Sequence, residues 1–373
     1  MKFSLQQQVF HNALRQTGKA VSTSNTMPIL SGILIEAEEG GNLTMTATDL
    51  ELGIVMRVEA DVDEPGKIVL PGDELGSIVR ELPRDSVSVE TDEEDYSAHI
   101  TSLSSEFDLR GFKPDEFPEL PDVEEDVRLS LPESIVSDMV NKVKFSCSKR
   151  ESQPGLTGAL LTVSAQSALM VATNTFRMAY YEKEMDLDLE EKYRAIIPAP
   201  TLDELSRLLS DDEENEIEIV LDSSHCRFFC GDVTVTSRLI DGKFPNYNQV
   251  MPSEFSADVR VDRKKLQNAV KRVETIARLD SNVIELDFSD NTLKIESTAS
   301  EKGHGRGEVE IEMEGQPQKI KIDASYILDG LKVLDEDDVL LQLIGPVNPL
   351  ALKNPGSDDY IYLIMPIRPD KEE

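Results

Sequence analysis

The sequence predicts an α+β chain of three like domains, each made of antiparallel strands and two helices. Three observations carry that prediction. The 373 residues are too many for one ordinary core. A strand-to-helix segment occurs three times at near-constant spacing, and the stretches around it alternate apolar and polar residues.

The clearest repeated element is a short helix reached directly from a strand. Residues 67–82 read KIVLPGDELGSIVREL, residues 194–209 read RAIIPAPTLDELSRLL, and residues 319–334 read KIKIDASYILDGLKVL. Leu75, Leu202 and Ile327 correspond, as do Leu82, Leu209 and Leu334, at offsets of 127 and 125 residues. In the first copy Leu75, Ile78, Val79 and Leu82 fall at i, i+3, i+4 and i+7, the spacing of an amphipathic helix. Each copy continues through a polar turn into an alternating strand, at 86–90, 216–221 and 339–343.

A second landmark precedes each of these helices: LTMTATDLELGIV at 43–55, LMVATNTFRMAYY at 169–181 and LKIESTASEKGHG at 293–305. Each reads as a strand, a polar turn and a return strand. A longer helix opens each unit. Ser4 and Gln7 read as a capping box ahead of Val9, Phe10, Ala13 and Leu14. Leu131 and Pro132 open a helix bearing Ile135, Val136, Met139, Val140 and Val143. Asp262 caps one bearing Leu266, Ala269, Val270 and Val273. Linkers rich in Pro and acids, around 114–126 and 244–254, set domains at 1–124, 125–254 and 255–373. Alternating strands imply antiparallel sheets with one face covered by helices. Repeated units packed side by side give either an open solenoid or a closed ring.

Composition narrows the function classes. With Trp absent and few aromatics, the cores rest on Leu, Ile, Val and Met. Cys147, Cys226 and Cys230 make no even disulfide framework, which fits a reducing compartment. No stretch approaches the roughly 20 apolar residues of a membrane span. The start, MKFSLQQQVF, does not read as a signal peptide. The expected location is the cytoplasm. Cys226, Cys230 and His225 lack the further ligands of a metal site and read as core packing. His11, His99, His225 and His304 are scattered and suggest no nucleophile with its base. GHGRG at 303–307 reads as a flexible hairpin rather than a phosphate loop. The acidic runs at 210–216 and 335–338 read as solvated turns. No catalytic residue, cofactor or metal is expected.

The net charge of −34 argues, taken globally, against a nucleic-acid partner. Its distribution argues otherwise. The opening helices with their tails, 5–19, 133–150 and 262–278, hold 12 bases against 4 acids. Helix-dipole preference accounts for some of the tail cations but not for Lys264 and Lys265 in a first turn. If the three helices face one way, Arg15, Lys19, Lys142, Lys144, Lys149, Arg150, Lys264, Lys265, Lys271 and Arg272 form a positive surface on an acidic body. No base-stacking aromatic strand or zinc-finger spacing accompanies them, so the contact expected is with phosphates alone, without sequence reading.

TMPIL at 26–30, ATDLE at 47–51, DGKFPNY at 241–247 and YIYLIMPIRP at 360–369, set in the triplicated helix–strand unit, resemble the beta subunit of bacterial DNA polymerase III, the sliding clamp. The resemblance runs from residue 1 to 369. It implies three clamp domains with helices inside and sheets outside, and a closed ring formed by two chains head to tail around duplex DNA. It also implies a hydrophobic cleft between the second and third domains that receives a short peptide motif of the polymerase alpha subunit, the clamp loader and repair proteins. By matching position the cleft comprises Leu156, Thr173, Thr175, Arg177, Met178, Pro245, Val250, Val347, Leu363, Ile364, Met365, Pro366, Ile367 and Arg368, with Asp323 and Tyr326 beside it. At the implied dimer seam Phe107 and Leu109 meet the partner near Ile276. Departures from the family pattern are Ser24, Phe176, Gln249 and Asp323. From the residues alone, an acidic repeat scaffold that binds only proteins, or an enzyme with an unrecognised site, stays open beside the clamp.

Overall fold

Six times the chain passes from a strand straight into a helix. The computed structural model describes residues 1–367 except 25, 93, 211, 213 and 301. In it Lys2–Gln6 leads into α1 (Gln7–Thr17), Gly66–Pro71 into α2 (Gly72–Glu81) and Val127–Pro132 into α3 (Glu133–Val143). Tyr193–Pro198 leads into α4 (Ala199–Leu208), Ala257–Asp262 into α5 (Arg263–Ala277) and Gln318–Asp323 into α6 (Ala324–Val333). Each sequence unit therefore begins with a strand that the helical spacing does not announce. Ser4 lies in the first of these strands, so the capping box expected at Ser4 and Gln7 does not form. The Gln7 side-chain amide instead donates to the Val79 carbonyl of α2 at 2.7 Å. Asp262 does cap α5, its carboxylate accepting from the Lys265 amide at 2.7 Å. The glycine-rich run at 303–307, expected to be a flexible hairpin, is part of the regular strand Gly303–Glu310.

All strand pairings among the described residues are antiparallel. The chain divides into two compact units, one of Met1–Val136 with Asp203–Leu239, the other of Ser137–Leu202 with Ile240–Glu373. The first unit holds a five-stranded and an eight-stranded sheet. In the eight-stranded sheet, Val233–Arg238 of the middle sequence repeat pairs with Leu52–Glu59 of the first. The second unit holds a nine-stranded and a four-stranded sheet, and there Tyr360–Ile364 of the third repeat pairs with Arg177–Glu184 of the middle one. Sheets thus run across the boundaries between sequence repeats.

Within the first unit α1 buries Phe10, Ala13 and Leu14 against α2 and the strands Asn42–Thr48 and Leu52–Glu59, while Val9 stays exposed. Each large apolar side chain so buried stabilises by roughly 1.5–3 kcal/mol. Within the second unit α5 buries Leu266, Ala269, Val270 and Val273 against α6, Thr292–Ala299 and Gly303–Glu310. A Cβ on Gly305 would stand 3.1 Å from Ile276, and one on Gly307 3.4 Å from Val273. The missing side chains let the helix lie close on the edge strand.

The internal repeat extends to individual hydrogen bonds. The Thr48 hydroxyl donates to the Leu52 carbonyl at 2.9 Å, and the Thr173 hydroxyl to the Arg177 carbonyl at 2.7 Å. The Asp49 carboxylate accepts from the amides of Glu51 and Leu52, as the Asn174 side-chain oxygen does from Phe176 and Arg177. Leu50 and Thr175, at φ 78° and 76°, occupy the same left-handed position.

Gly330 in α6 faces the buried ring of Tyr362, whose hydroxyl donates to the Tyr326 carbonyl at 3.0 Å. A Cβ at 330 would meet the ring at 2.5 Å. Alanine gains about 1 kcal/mol of helix propensity over glycine, but overpacking a fixed ring costs about 1–3 kcal/mol. Gly330→Ala is expected to lower the melting temperature in a calorimetric scan.

Candidate functional site

The turn at Thr173–Arg177 and the strand Tyr360–Ile364 position one apolar groove. Met178 pairs with Leu363 and Arg177 with Ile364 across the sheet, and the Met365 amide donates to the Phe176 carbonyl at 2.8 Å. The groove has a volume of about 220 Å³ and is lined by Thr173, Thr175, Arg177, Met178, Pro245, Asn246, Tyr247, Val250, Leu363 and Met365. Its walls are mainly apolar with a few polar fixers, and Met178 and Met365 supply adaptable surface, a combination that suits short peptides of varied sequence.

Arg177 fixes one wall. Its guanidinium lies between the rings of Tyr326 at 4.7 Å and Phe145 at 5.2 Å. It pairs with Asp329 at 2.8 Å and donates to the Phe145 carbonyl. Burial opposes the Arg177 charge, but Tyr362 and Asp329 outweigh it and hold its pKa above the ordinary value. For Asp329 burial acts upward, while hydrogen bonds from Lys332 and Arg177 act downward and prevail, so its carboxyl sits below the usual range.

Eight of the cleft residues expected from sequence line this groove. Asn246 and Tyr247 line it too and were missed, although they follow Pro245 in the DGKFPNY motif. Two cleft assignments are corrected. Asp323 is an α6 cap, its carboxylate accepting from the Ser325 amide and from Asn282. Ile364 is fully buried in its strand. Leu156 is also buried, and the Tyr326 ring packs against the Arg177 guanidinium. Val347 and Ile367 are exposed, Pro366 is half-buried, and Arg368 lies outside the described residues.

Arg15, Lys19, Lys149, Arg150, Lys265, Lys271 and Arg272 are exposed, and among the described residues none reaches a carboxylate at ion-pair distance. Lys144 is half-buried, and Lys264 sits 3.6 Å from Asp337. Lys142 is a correction to the set expected to face DNA. Its ammonium is buried between Asp138 at 3.0 Å and Asp335 at 2.8 Å. Burial opposes its charge, and the two carboxylates more than offset that.

Two sheet edges carry the residues expected at the seam. Ser105–Arg110 is an edge of the five-stranded sheet, with Phe107 40% exposed and Leu109 half-buried. Gly303–Glu310 is an edge of the four-stranded sheet, where Ile276 of α5 abuts Gly305.

Family models match three successive stretches of the chain. Residues 1–121 match the N-terminal domain of the DNA polymerase III beta subunit, residues 130–246 its central domain and residues 248–368 its C-terminal domain. The chain belongs to the DNA polymerase III beta subunit family. It is 33% identical to the beta sliding clamp of Staphylococcus aureus, with 99% of each chain covered. The Staphylococcus epidermidis clamp is 32% identical over the same shares. Among solved structures, the DNA polymerase sliding clamp of Bacillus subtilis matches at a TM-score of 0.91 with 29% identity, covering 99% of both chains. A Pseudomonas aeruginosa sliding clamp bound to griselimycin matches at 0.92 with 30% identity, covering 99% of this chain and 100% of that one. The beta-subunit fold of three clamp domains, expected from the repeat and the motifs, is thereby established.

Because the folded-state pKa of Asp329 lies below its ordinary 3.8, its stabilising contribution is complete above that pH and fades as pH falls through the folded value. Asp329→Asn is expected to be less stable than the parent chain at pH 6. The gap should narrow as urea melts are taken from pH 5 towards pH 3.

Proposed function

We propose that this beta subunit works as a sliding clamp. Two chains close head to tail into a ring around duplex DNA, and the ring tethers the polymerase alpha subunit, the clamp loader and repair proteins through the groove at Met178, Val250 and Met365. It performs no chemistry of its own. The observation that carries this reading is the full-length match to sliding clamps, joined to exposed cations concentrated on the opening helices of a chain with net charge −34. Phosphate contact from Lys and Arg without base-reading groups carries no sequence information and permits sliding. Acidic surface elsewhere discourages binding except through the hole. Ring closure gives persistence without tight contacts.

The seam is proposed to form by addition of Ser105–Arg110 of one chain to Gly303–Glu310 of another, covering Phe107. Unpaired edges offer the backbone groups for this. No described helix is long and apolar enough to cross a membrane, which is compatible with work on chromosomal DNA.

After loading, the ring should persist on nicked circular DNA and run off linear DNA. Equal loss from both would refute encirclement. Replacing Lys265, Lys271 and Arg272 with alanine should weaken DNA association. For every cation that no longer meets a phosphate, the log–log salt dependence should flatten by about 0.9. The charge change leaves the groove intact, so peptide affinity measured by fluorescence anisotropy should stay the same. Phe107→Asp is expected to shift the dimer towards monomer in sedimentation velocity runs.

A further inference from the structure

The turn and strands that frame the groove have a counterpart in the first unit, where a linker leucine packs against a glycine. The matching turns place Leu52 where the middle repeat has Arg177, and Gly53 where it has Met178. The neighbouring strands agree: Gly53 pairs with Thr236 as Met178 pairs with Leu363. The Arg238 amide donates to the Glu51 carbonyl at 2.8 Å, as the Met365 amide does to Phe176. The linkers correspond as well, Phe117-Pro118 to Phe244-Pro245, which sets Leu120 against Tyr247 and Val123 against Val250.

The two sites differ in what occupies them. Val250 is 43% exposed at the open groove, whereas Val123 is 5% exposed. A Cβ on Gly53 would stand 2.5 Å from a methyl of Leu120, so the Leu120 side chain lies in the space that a side chain at 53 would take. The linker is tied down immediately after that contact. Arg227 donates to the Pro121 carbonyl at 2.8 Å and to the Thr236 hydroxyl at 3.3 Å, and the Glu124 amide donates to Asp222 at 3.1 Å.

We infer that the first repeat holds a second copy of the peptide groove, closed by Leu120 of its own linker, and that this plug restricts the chain to one peptide site. Unplugged, the second groove takes the same class of ligand, a short apolar peptide. The inference rests on the reading of the open groove as a peptide site, and the test separates the two.

The probe is a fluorescein-labelled hexapeptide selected from a random library for binding to the intact chain. Its stoichiometry is read by calorimetric titration. The parent chain should bind one peptide per chain, and Val250→Glu none. Undiminished binding by Val250→Glu would defeat the groove assignment and this inference with it. Leu120→Ala should bind two peptides per chain, and Leu120→Ala combined with Val250→Glu should bind one. If the double variant binds none while Val250→Glu alone has lost its site, the plug is refuted and the open groove stands. Circular dichroism melts establish that each variant is folded. Should Leu120→Ala be unfolded at the assay temperature, Arg227→Ala with Val250→Glu replaces the double variant. Releasing Pro121 should then yield a second site of lower affinity, and absence of binding overturns the plug.

Discussion

Pairing of a strand from one sequence repeat with a strand from the next is the constraint on which the rest of this beta subunit depends. In the second unit Tyr360–Ile364 joins Arg177–Glu184, and that seam sets Leu363 beside Met178 and brings Met365 to the Thr173–Arg177 turn. Without the pairing there is no groove, because its walls come from segments about 190 residues apart. The same pairing in the first unit, Val233–Arg238 on Leu52–Glu59, fixes Thr236 beside Gly53. A buried sheet commits every backbone donor and acceptor, so register is tightly specified. The side chains at each seam then decide what the site can take.

Electrostatics is layered on that scaffold. The chain tolerates a large acidic excess because most of its carboxylates are exposed and solvated, with surface pairs worth at most about 1 kcal/mol each. The few buried charges are individually neutralised: Arg177 by Asp329, and Lys142 by Asp138 and Asp335. These pairs hold elements in place and are not available to a ligand. Exposed cations remain on α1 and α5 and on the segment after α3.

Much of the architecture was legible in the sequence, and the failures have physical causes. The repeat announced itself because Leu75, Leu202 and Ile327 hold the same place in a helix whose apolar spacing is unmistakable. The strands before the opening helices are not legible because segments such as Lys2–Gln6 are short and half polar. The cap expected at Ser4 fails for the same reason, since Ser4 lies in that strand. Lys142 could not be placed from sequence because one of its carboxylates, Asp335, lies far along the chain. Asp323 looked like a cleft residue by position, but its local work as an α6 cap is visible only with the Ser325 amide beside it. A lone leucine in a Pro-rich acidic linker, as Leu120 is, carries no signal of its own in the sequence. Its meaning rests on the absence of a side chain at Gly53.

The seam between the middle and third repeats is tested most directly by native-state hydrogen exchange, resolved to single amides. Stable pairing predicts that the paired amides of residues 360–364, together with the Met365 amide, exchange only through opening as costly as that of the core strands in the same sheet. Exchange of these amides at the rate of a frayed terminus, while the core strands stay protected, would contradict the account.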